Sequence, residues 1–427
     1  MTREQSKKQI QDLVRRYAPN AAFYTSVAST YNETQARTAF ITPLLEALGW
    51  DVRNASGYPE DQRDVLEEAT VEVGPEKLSK KPDYELRVAR QRKFFVEAKR
   101  PSKAVQAEKD SAFQARRYGF SASMPISVLT NFEYLAIYDC LPAPNSSDNA
   151  AVCRLQLVHF TEYEARFDEI YDLLSREAVH SGAFDKRFKV RPAYRGTNQF
   201  DDLFLEQVRS WRIRLAEDIA FRNPGVQNAL LTFATQRFLT RLIFLRICED
   251  RDIEKYESLK SITGAGAYAA LKGHLAAADK VYNSGLFQSL GDPSLTLDVG
   301  DAVLAEIITE LYYPKSPYTF SVVEPGILGE VYELLLGEAL ALKPGGKVEA
   351  VAKPEALASG GVCATPQFVV NRIVDDTVRA RLAGGSPTSL QTFTVVDIAC
   401  GSGIFLIAAY QALLSHYRDF YIKDGLK

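Results

Sequence analysis

Over the first 180 residues the apolar positions switch between helical and strand spacing. Phe40, Leu44 and Leu48 recur every four residues and predict a helix over Glu33–Leu48, with Pro43 inside it implying a kink or a late start. An earlier helix is expected over Gln5–Tyr17. Short apolar runs predict strands over Asp83–Val88, Lys93–Lys99, Ile126–Thr130, Tyr134–Asp139 and Val152–Phe160. A helical stretch, roughly Val105–Tyr118, separates the second and third. The turn-rich CLPAPNSSDNA (140–150) separates the last two.

A further helix is expected over 165–180, followed by a basic linker, KRFKVRPAYRG (186–196). Residues 200–340 read as almost wholly helical, with runs such as FATQRFLTRLIFLRICEDRDI (233–253). After a loop at 343–363 come a helix over Gln367–Leu382, the loop GGSPTSLQT, a strand TFTVVDIAC and a helix GIFLIAAYQALLSHYRDFYI. The succession predicts three parts. Residues 1–185 form an α/β domain with a mixed central sheet flanked by helices, 186–345 an all-α connector, and 346–427 the start of a second α/β domain.

At 427 residues the chain has room for two or three domains, and 46% hydrophobic with 25% charged residues is ordinary for globular protein. No charged-then-apolar leader and no apolar run of spanning length occur, so a cytoplasmic location without membrane is expected. Cys140, Cys153, Cys248, Cys363 and Cys400 lie far apart, as do the four histidines, which argues against a zinc site or a disulfide framework. A net charge of −3 does not suggest nucleic acid. The distribution does: residues 87–103 carry Arg87, Arg90, Arg92, Lys93, Lys99, Arg100 and Lys103 against the single acid Glu97, a patch suited to a phosphate backbone.

Chemistry enters at two places. In the first, Asp83 starts one strand and Glu97 and Lys99 share a face of the next, with Phe94, Val96 and Ala98 on the other. Two carboxylates and a lysine suit metal-assisted phosphodiester hydrolysis. Asp83 and Glu97 would hold Mg²⁺, which polarises phosphate and acidifies water, while Lys99 orients that water or offsets transition-state charge. Written PDYEL…VEAK, the set resembles the PD-(D/E)xK nuclease superfamily. The resemblance implies further roles. Gln114 and Tyr118 of QARRY, four apart on one helix face, would match a QxxxY element that positions DNA and the carboxylates. Glu33 would match an upstream helical acid of the metal site. YNETQARTAFITPLLEALGWDV also looks like the opening of nuclease domains in type I and type IIG restriction subunits.

In the second, VVDIACGSGIFLIAAY (395–410) places Asp397 at a strand end, then Gly401 and Gly403, then an apolar helix. Glycines permit a tight turn whose N–H groups and following helix N-terminus favour a ligand carboxylate. The segment Asp397, Ala399, Cys400, Gly401, Gly403 resembles motif I of adenine-N6 DNA methyltransferases, with Ile398 where proline is usual. That implies a Rossmann-like domain and an S-adenosyl-L-methionine site. Thr365-Pro366 resembles the element that closes over this cofactor, with Ala364 in place of the usual aromatic.

An NPPY-type base-gripping loop does not occur, and NPGV at 223 is displaced from where one is needed. No GxxxxGK[ST] occurs either, which excludes an ATP motor from this segment. The motif order resembles the N-terminal part of a type IIG restriction–modification enzyme, about the first half of a longer polypeptide. The implied activity is Mg²⁺-dependent cleavage of double-stranded DNA, with adenine methylation requiring parts not present here. The alternative is a methyltransferase whose N-terminal nuclease-like domain is an inactive DNA-binding module.

Overall fold

The structure, a computed structural model, describes residues 1–58, 62–67, 81–88, 91–188, 199–282, 285–288, 290–323, 326–354, 365 and 367–423. The chain divides into two compact units, Met1–Pro192 with Pro314–Val322, and Ala193–Tyr313 with Val323–Lys427. In the first unit, α1 (Arg3–Tyr17) opens on a capping box in which the Thr2 and Gln5 side chains each bond the other's backbone N–H. After a short α2 (Ala21–Thr25), α3 (Glu33–Ala36) starts on a second such box, from Asn32 and Gln35. The helix then widens into a π-turn over Arg37–Ile41 before α4 (Thr42–Ala47). Pro43 explains the irregularity. It cannot donate to the carbonyl four residues back, Ala39, and Arg16 Nη2 takes that carbonyl instead at 3.2 Å. The kink expected from Pro43 is thus a π-turn.

The sheet runs in the order β1 (Val65–Glu67), β2 (Tyr84–Val88), β3 (Gln91–Ala98), β4 (Ile126–Thr130), β5 (Tyr134–Asp139), β6 (Arg154–His159). All neighbours are antiparallel except β3 and β4, whose parallel pairing needs a crossover. That crossover is α5 (Lys109–Ser121). The five strands expected from the sequence are present, within two residues at each end, and β1 is additional. Three helices, α6 (Phe167–Leu174), α7 (Arg176–His180) and α8 (Ala183–Arg187), follow. The single helix expected over 165–180 is broken at Ser175, whose side chain caps α7. Phe94, Val96 and Ala98 join a core with Tyr17, Phe40, Leu44 and Leu48, while Phe95 packs with Tyr118 and Ala122 on the opposite face. Both faces of β3 are therefore covered.

The second unit contains α9 (Gln199–Arg222), α10 (Asn228–Asp250), α11 (Ala267–Tyr282), α12 (Asp301–Glu310) and α13 (Gly326–Gly337). The expected helical character to 340 and loop from 343 are corrected by an antiparallel hairpin, β7 (Glu338–Leu342) with β8 (Val348–Ala352). Residue 345, where the connector was expected to end, lies in its turn. Then come α14 (Gln367–Val374), a π-turn over Asp375–Arg379, α15 (Ala380–Leu382) and α16 (Ile404–Lys423). The strand expected over TFTVVDIAC does not form: residues 392–400 are turn and irregular backbone, with Val396 79% and Ile398 98% exposed. A strand is stabilised through ladder partners, and none of the described strands pairs with this segment.

Candidate active site

Asp83 lies one residue before β2, and because Tyr84 pairs with Val96 the register carries it opposite Glu97. The structure thus brings together the two acids that the sequence proposes as metal ligands. Asp83 is buried, with Oδ2 accepting from the Ala98 N–H at 2.7 Å and Oδ1 from Arg37 Nη1 at 2.9 Å. Glu97 is 2% exposed. Its Oε1 accepts from Lys99 Nζ at 2.5 Å, and its Oε2 is buried without a hydrogen-bond partner. Lys99 is held by its own backbone, which donates to the Thr130 carbonyl at the end of β4.

The electrostatics follow from this burial. Desolvation raises the Glu97 carboxyl to about 8; Lys99 opposes the shift, while Asp83 and Glu33 add to it. Desolvation also raises Asp83, against Arg37, Lys99 and the Ala98 N–H. Burial alone would lower the Lys99 ammonium, but Glu97, Glu33 and Asp83 outweigh it and the shift is upward. Half-buried Glu33, at the start of α3, contributes its charge to the shifts of both Glu97 and Lys99. Glu67 Oε1 lies 3.9 Å from Arg37 Nη2 as well, so the carboxyl groups acting on Arg37 and Lys99 outnumber these two cations.

A hard divalent cation fits this donor set. Glu97 Oε2 is a hard oxygen donor without a hydrogen-bond partner, and Asp83 stands across the strand pair. Among the described residues no three His, Cys, Asp or Glu side chains converge as a metal cage. A two-carboxylate set is still what Mg²⁺ commonly takes, since it keeps waters and accepts substrate phosphate oxygens.

Gln114 and Tyr118 are joined by a 3.1 Å hydrogen bond on α5. Tyr118 also meets Phe95, which shares the Glu97 face of β3, edge to face at 6.5 Å. Both residues are thus on the helix that covers the acid-bearing face. The basic run is less free than the sequence suggests. Arg87 and Arg92 pair with Glu85, Lys93 with Asp185 at 3.0 Å, and Lys103 with Glu108. These acids come from distant chain positions or from outside the run. Arg100 is exposed; Arg90 lies outside the described residues.

Sequence reasoning passed over Arg37, which is buried and pairs with Asp83 across 46 residues. A signal was present: Arg37 falls on the apolar stripe with Phe40, Leu44 and Leu48, where a charge demands a partner.

In the second unit, Gly401 and Gly403 adopt φ of 52° and 79°, left-handed values that favour glycine, and α16 begins directly after them. Asp397 accepts from the Ala399 N–H at 3.0 Å in a local turn, next to exposed Cys400. The loop borders a cavity of about 450 Å³ lined by Phe244, Leu328, Tyr332, Gly401, Ser402 and Ile407. Thr365 is half-buried just before α14, and Pro366 lies outside the described residues. The expected turn and helix are present without the expected strand.

Comparison with known proteins finds a relative over nearly the whole of this chain. The type II restriction enzyme and methyltransferase RM.Eco57I of Escherichia coli is 39% identical over 418 residues, 98% of this chain. The match spans 42% of that protein, so the chain is similar to less than half of its relative's length. Nearly all of the chain is thus similar to part of a type II restriction enzyme and methyltransferase. No protein-family model and no solved structure matches it.

Proposed function

We propose that the first unit is a divalent-metal-dependent DNA endonuclease of the PD-(D/E)xK kind, the nuclease portion of a type IIG-like polypeptide. The observation that carries this reading is Glu97 Oε2, buried and unbonded between Asp83 and Lys99. Burying a carboxylate oxygen without a partner is costly unless a ligand completes it. Asp83 and Glu97 would hold Mg²⁺, which supplies Lewis-acid polarisation of the scissile phosphate. Lys99, kept cationic by three nearby acids, would neutralise charge that develops on the phosphate oxygens. Gln114 and Tyr118 would support the DNA from α5, and Glu33 would add its negative charge.

The second unit supports the other half of the reading. In the longer polypeptide the left-handed glycines 401 and 403, with Asp397, Ala399 and Cys400, would form the methionine-side loop of an S-adenosyl-L-methionine site in a Rossmann-like domain. Thr365 and Pro366 would close it. The division at 185 and 345 into nuclease, connector and methyltransferase start belongs to this proposal. No helix among the described residues is long and apolar enough to cross a membrane.

The test is Asp83→Ala or Lys99→Ala in the full-length protein. Cleavage of double-stranded DNA with Mg²⁺ should fall at least a thousandfold, on the order of 4 kcal/mol of transition-state stabilisation. Methylation should persist. Cutting at the parent rate would remove the assignment.

A further inference from the structure

We propose that Arg37 is a positioning residue for the metal site: it fixes the Asp83 carboxylate in the orientation that presents its free lone pairs toward Glu97. The inference rests on the nuclease reading above. Five contacts converge on this guanidinium, among them an ion pair of Nη2 with Glu67 Oε1 at 3.9 Å. Nη1 donates to Asp83 Oδ1 at 2.9 Å and Nη2 lies 3.5 Å from the Asp83 carbonyl oxygen. Nε is 3.3 Å from the Tyr84 hydroxyl, and the guanidinium stacks over the Tyr84 ring with 4.9 Å to the centroid. The Tyr84 hydroxyl is itself held by Thr42 Oγ1 at 2.8 Å. A chain of polar contacts therefore runs from α4 through Tyr84 and Arg37 to Asp83, and ends at the Ala98 N–H beside Glu97.

Stability alone does not demand this arrangement, because replacing a buried ion pair by apolar residues of similar volume is often neutral or stabilising. What the fork does provide is direction. Arg37 bonds Oδ1 and the backbone of β3 bonds Oδ2, so neither oxygen can rotate, yet each keeps a lone pair. Groups that orient metal ligands in this way are typically worth about 10- to 100-fold in metal affinity or activity. The π-turn has a part here as well. Arg37 is its first residue, and the turn sets the angle at which the side chain leaves α3 toward β2.

The experiment is Mn²⁺ titration by calorimetry on the 427-residue chain, alongside DNA cleavage kinetics in the full-length protein. Arg37→Ala should raise the Mn²⁺ dissociation constant about 10- to 100-fold, and cleavage should lose kcat while KM for DNA stays within about twofold. Arg37→Lys keeps the charge but cannot reach carboxylate, carbonyl and hydroxyl together, so it should remain at least about tenfold weakened. Tyr84→Phe, which removes only the hydroxyl under Nε, should weaken Mn²⁺ several-fold without loss of fold. Should Arg37→Ala fail to fold, Arg37→Lys and Tyr84→Phe decide. Parent-like Mn²⁺ affinity in both overturns the inference, as does parent-like affinity in a folded Arg37→Ala. Glu97→Gln separates the two levels. If the parent chain binds no Mn²⁺, or binds it independently of Glu97, the nuclease reading fails. If binding depends on Glu97 but not on Arg37, only the positioning role fails.

Discussion

At Gly119 a single methyl group decides whether α5 can lie on the sheet. A Cβ there would run into the Cys140 sulfur and would come within 2.6 Å of both Cys140 Cβ, beside β5, and Ser127 Oγ, on β4. Neither neighbour can withdraw, since Cys140 and Ser127 are fully buried. Gly119→Ala should therefore destabilise the first unit by about 1–3 kcal/mol despite alanine's better helix propensity, because overpacking outweighs the roughly 1 kcal/mol propensity gain. Urea denaturation followed by fluorescence reads this directly. An unchanged or higher midpoint would show that α5 can shift away from the sheet at no cost. The same close approach sets how tightly Tyr118, one residue away, is pressed onto Phe95. Residue-scale features of this kind are poorly legible in the sequence. Glu97 and Lys99 were legible because alternation along a strand fixes which residues share a face. Gly119 was not, and for Arg37 only its place on the apolar stripe was, because the partners Cys140 and Asp83 lie 21 and 46 residues away and only the fold brings them close.

Among elements, the interrupted helix over residues 33–47 is the one whose irregularity has a traceable cause and a consequence at the site. Pro43 removes the donor to Ala39, Arg16 fills the vacancy, and the extra residue of the π-turn rotates everything before it relative to everything after it. Glu33 and Arg37 sit on the early side, while the core residues Leu44 and Leu48 sit on the late side. Pro43→Ala restores the donor and permits a regular α-helix, which would turn Arg37 away from Asp83. The expected result is a helix at least as stable and a site that is worse. Cleavage should drop on the order of 100-fold, the usual effect of displacing a site group by about 1 Å, while the melting temperature holds or rises. Activity equal to the parent's would show that the π-turn survives without proline. Elements with one strong period were legible in the sequence, and five strands fall within two residues of expectation. Two were misread for physical reasons. Glu-Ala-Leu-Ala-Leu at β7 is made of strong helix formers, and only pairing with β8 makes it a strand. The apolar segment before Cys400 has strand composition, but composition cannot supply a ladder partner.

On the scale of the whole molecule, each unit carries its own core, and the second unit also buries charged groups against one another. Asp292 is the clearest case. Its carboxylate receives Arg241 Nη2 at 2.5 Å and Arg237 Nε at 3.1 Å, together with the Ser294 N–H at 2.9 Å and hydroxyl at 2.7 Å. The Arg241 side chain is fully buried. Burial would raise the Asp292 carboxyl, but Ser294 and then Arg241 outweigh it and hold the carboxyl below the ordinary aspartate range. The stabilisation from this ion is fully present above the unfolded aspartate value of about 3.9 and is lost as pH falls through the lower folded value. Asp292→Asn leaves two guanidinium groups facing a neutral amide, one of them without access to water. It should cost about 3–5 kcal/mol, the penalty of an uncompensated buried charge. Calorimetric melting at neutral pH should show the loss, and the difference from the parent should shrink as both are acidified below the folded Asp292 value. Mn²⁺ binding at Asp83 and Glu97, measured well below the melting range, should be unchanged, because the acids, the lysine and Arg37 all belong to the first unit. A melting curve identical to the parent's would mean that Arg241 finds a second partner, and loss of Mn²⁺ binding would mean that the two cores do not hold their shapes separately.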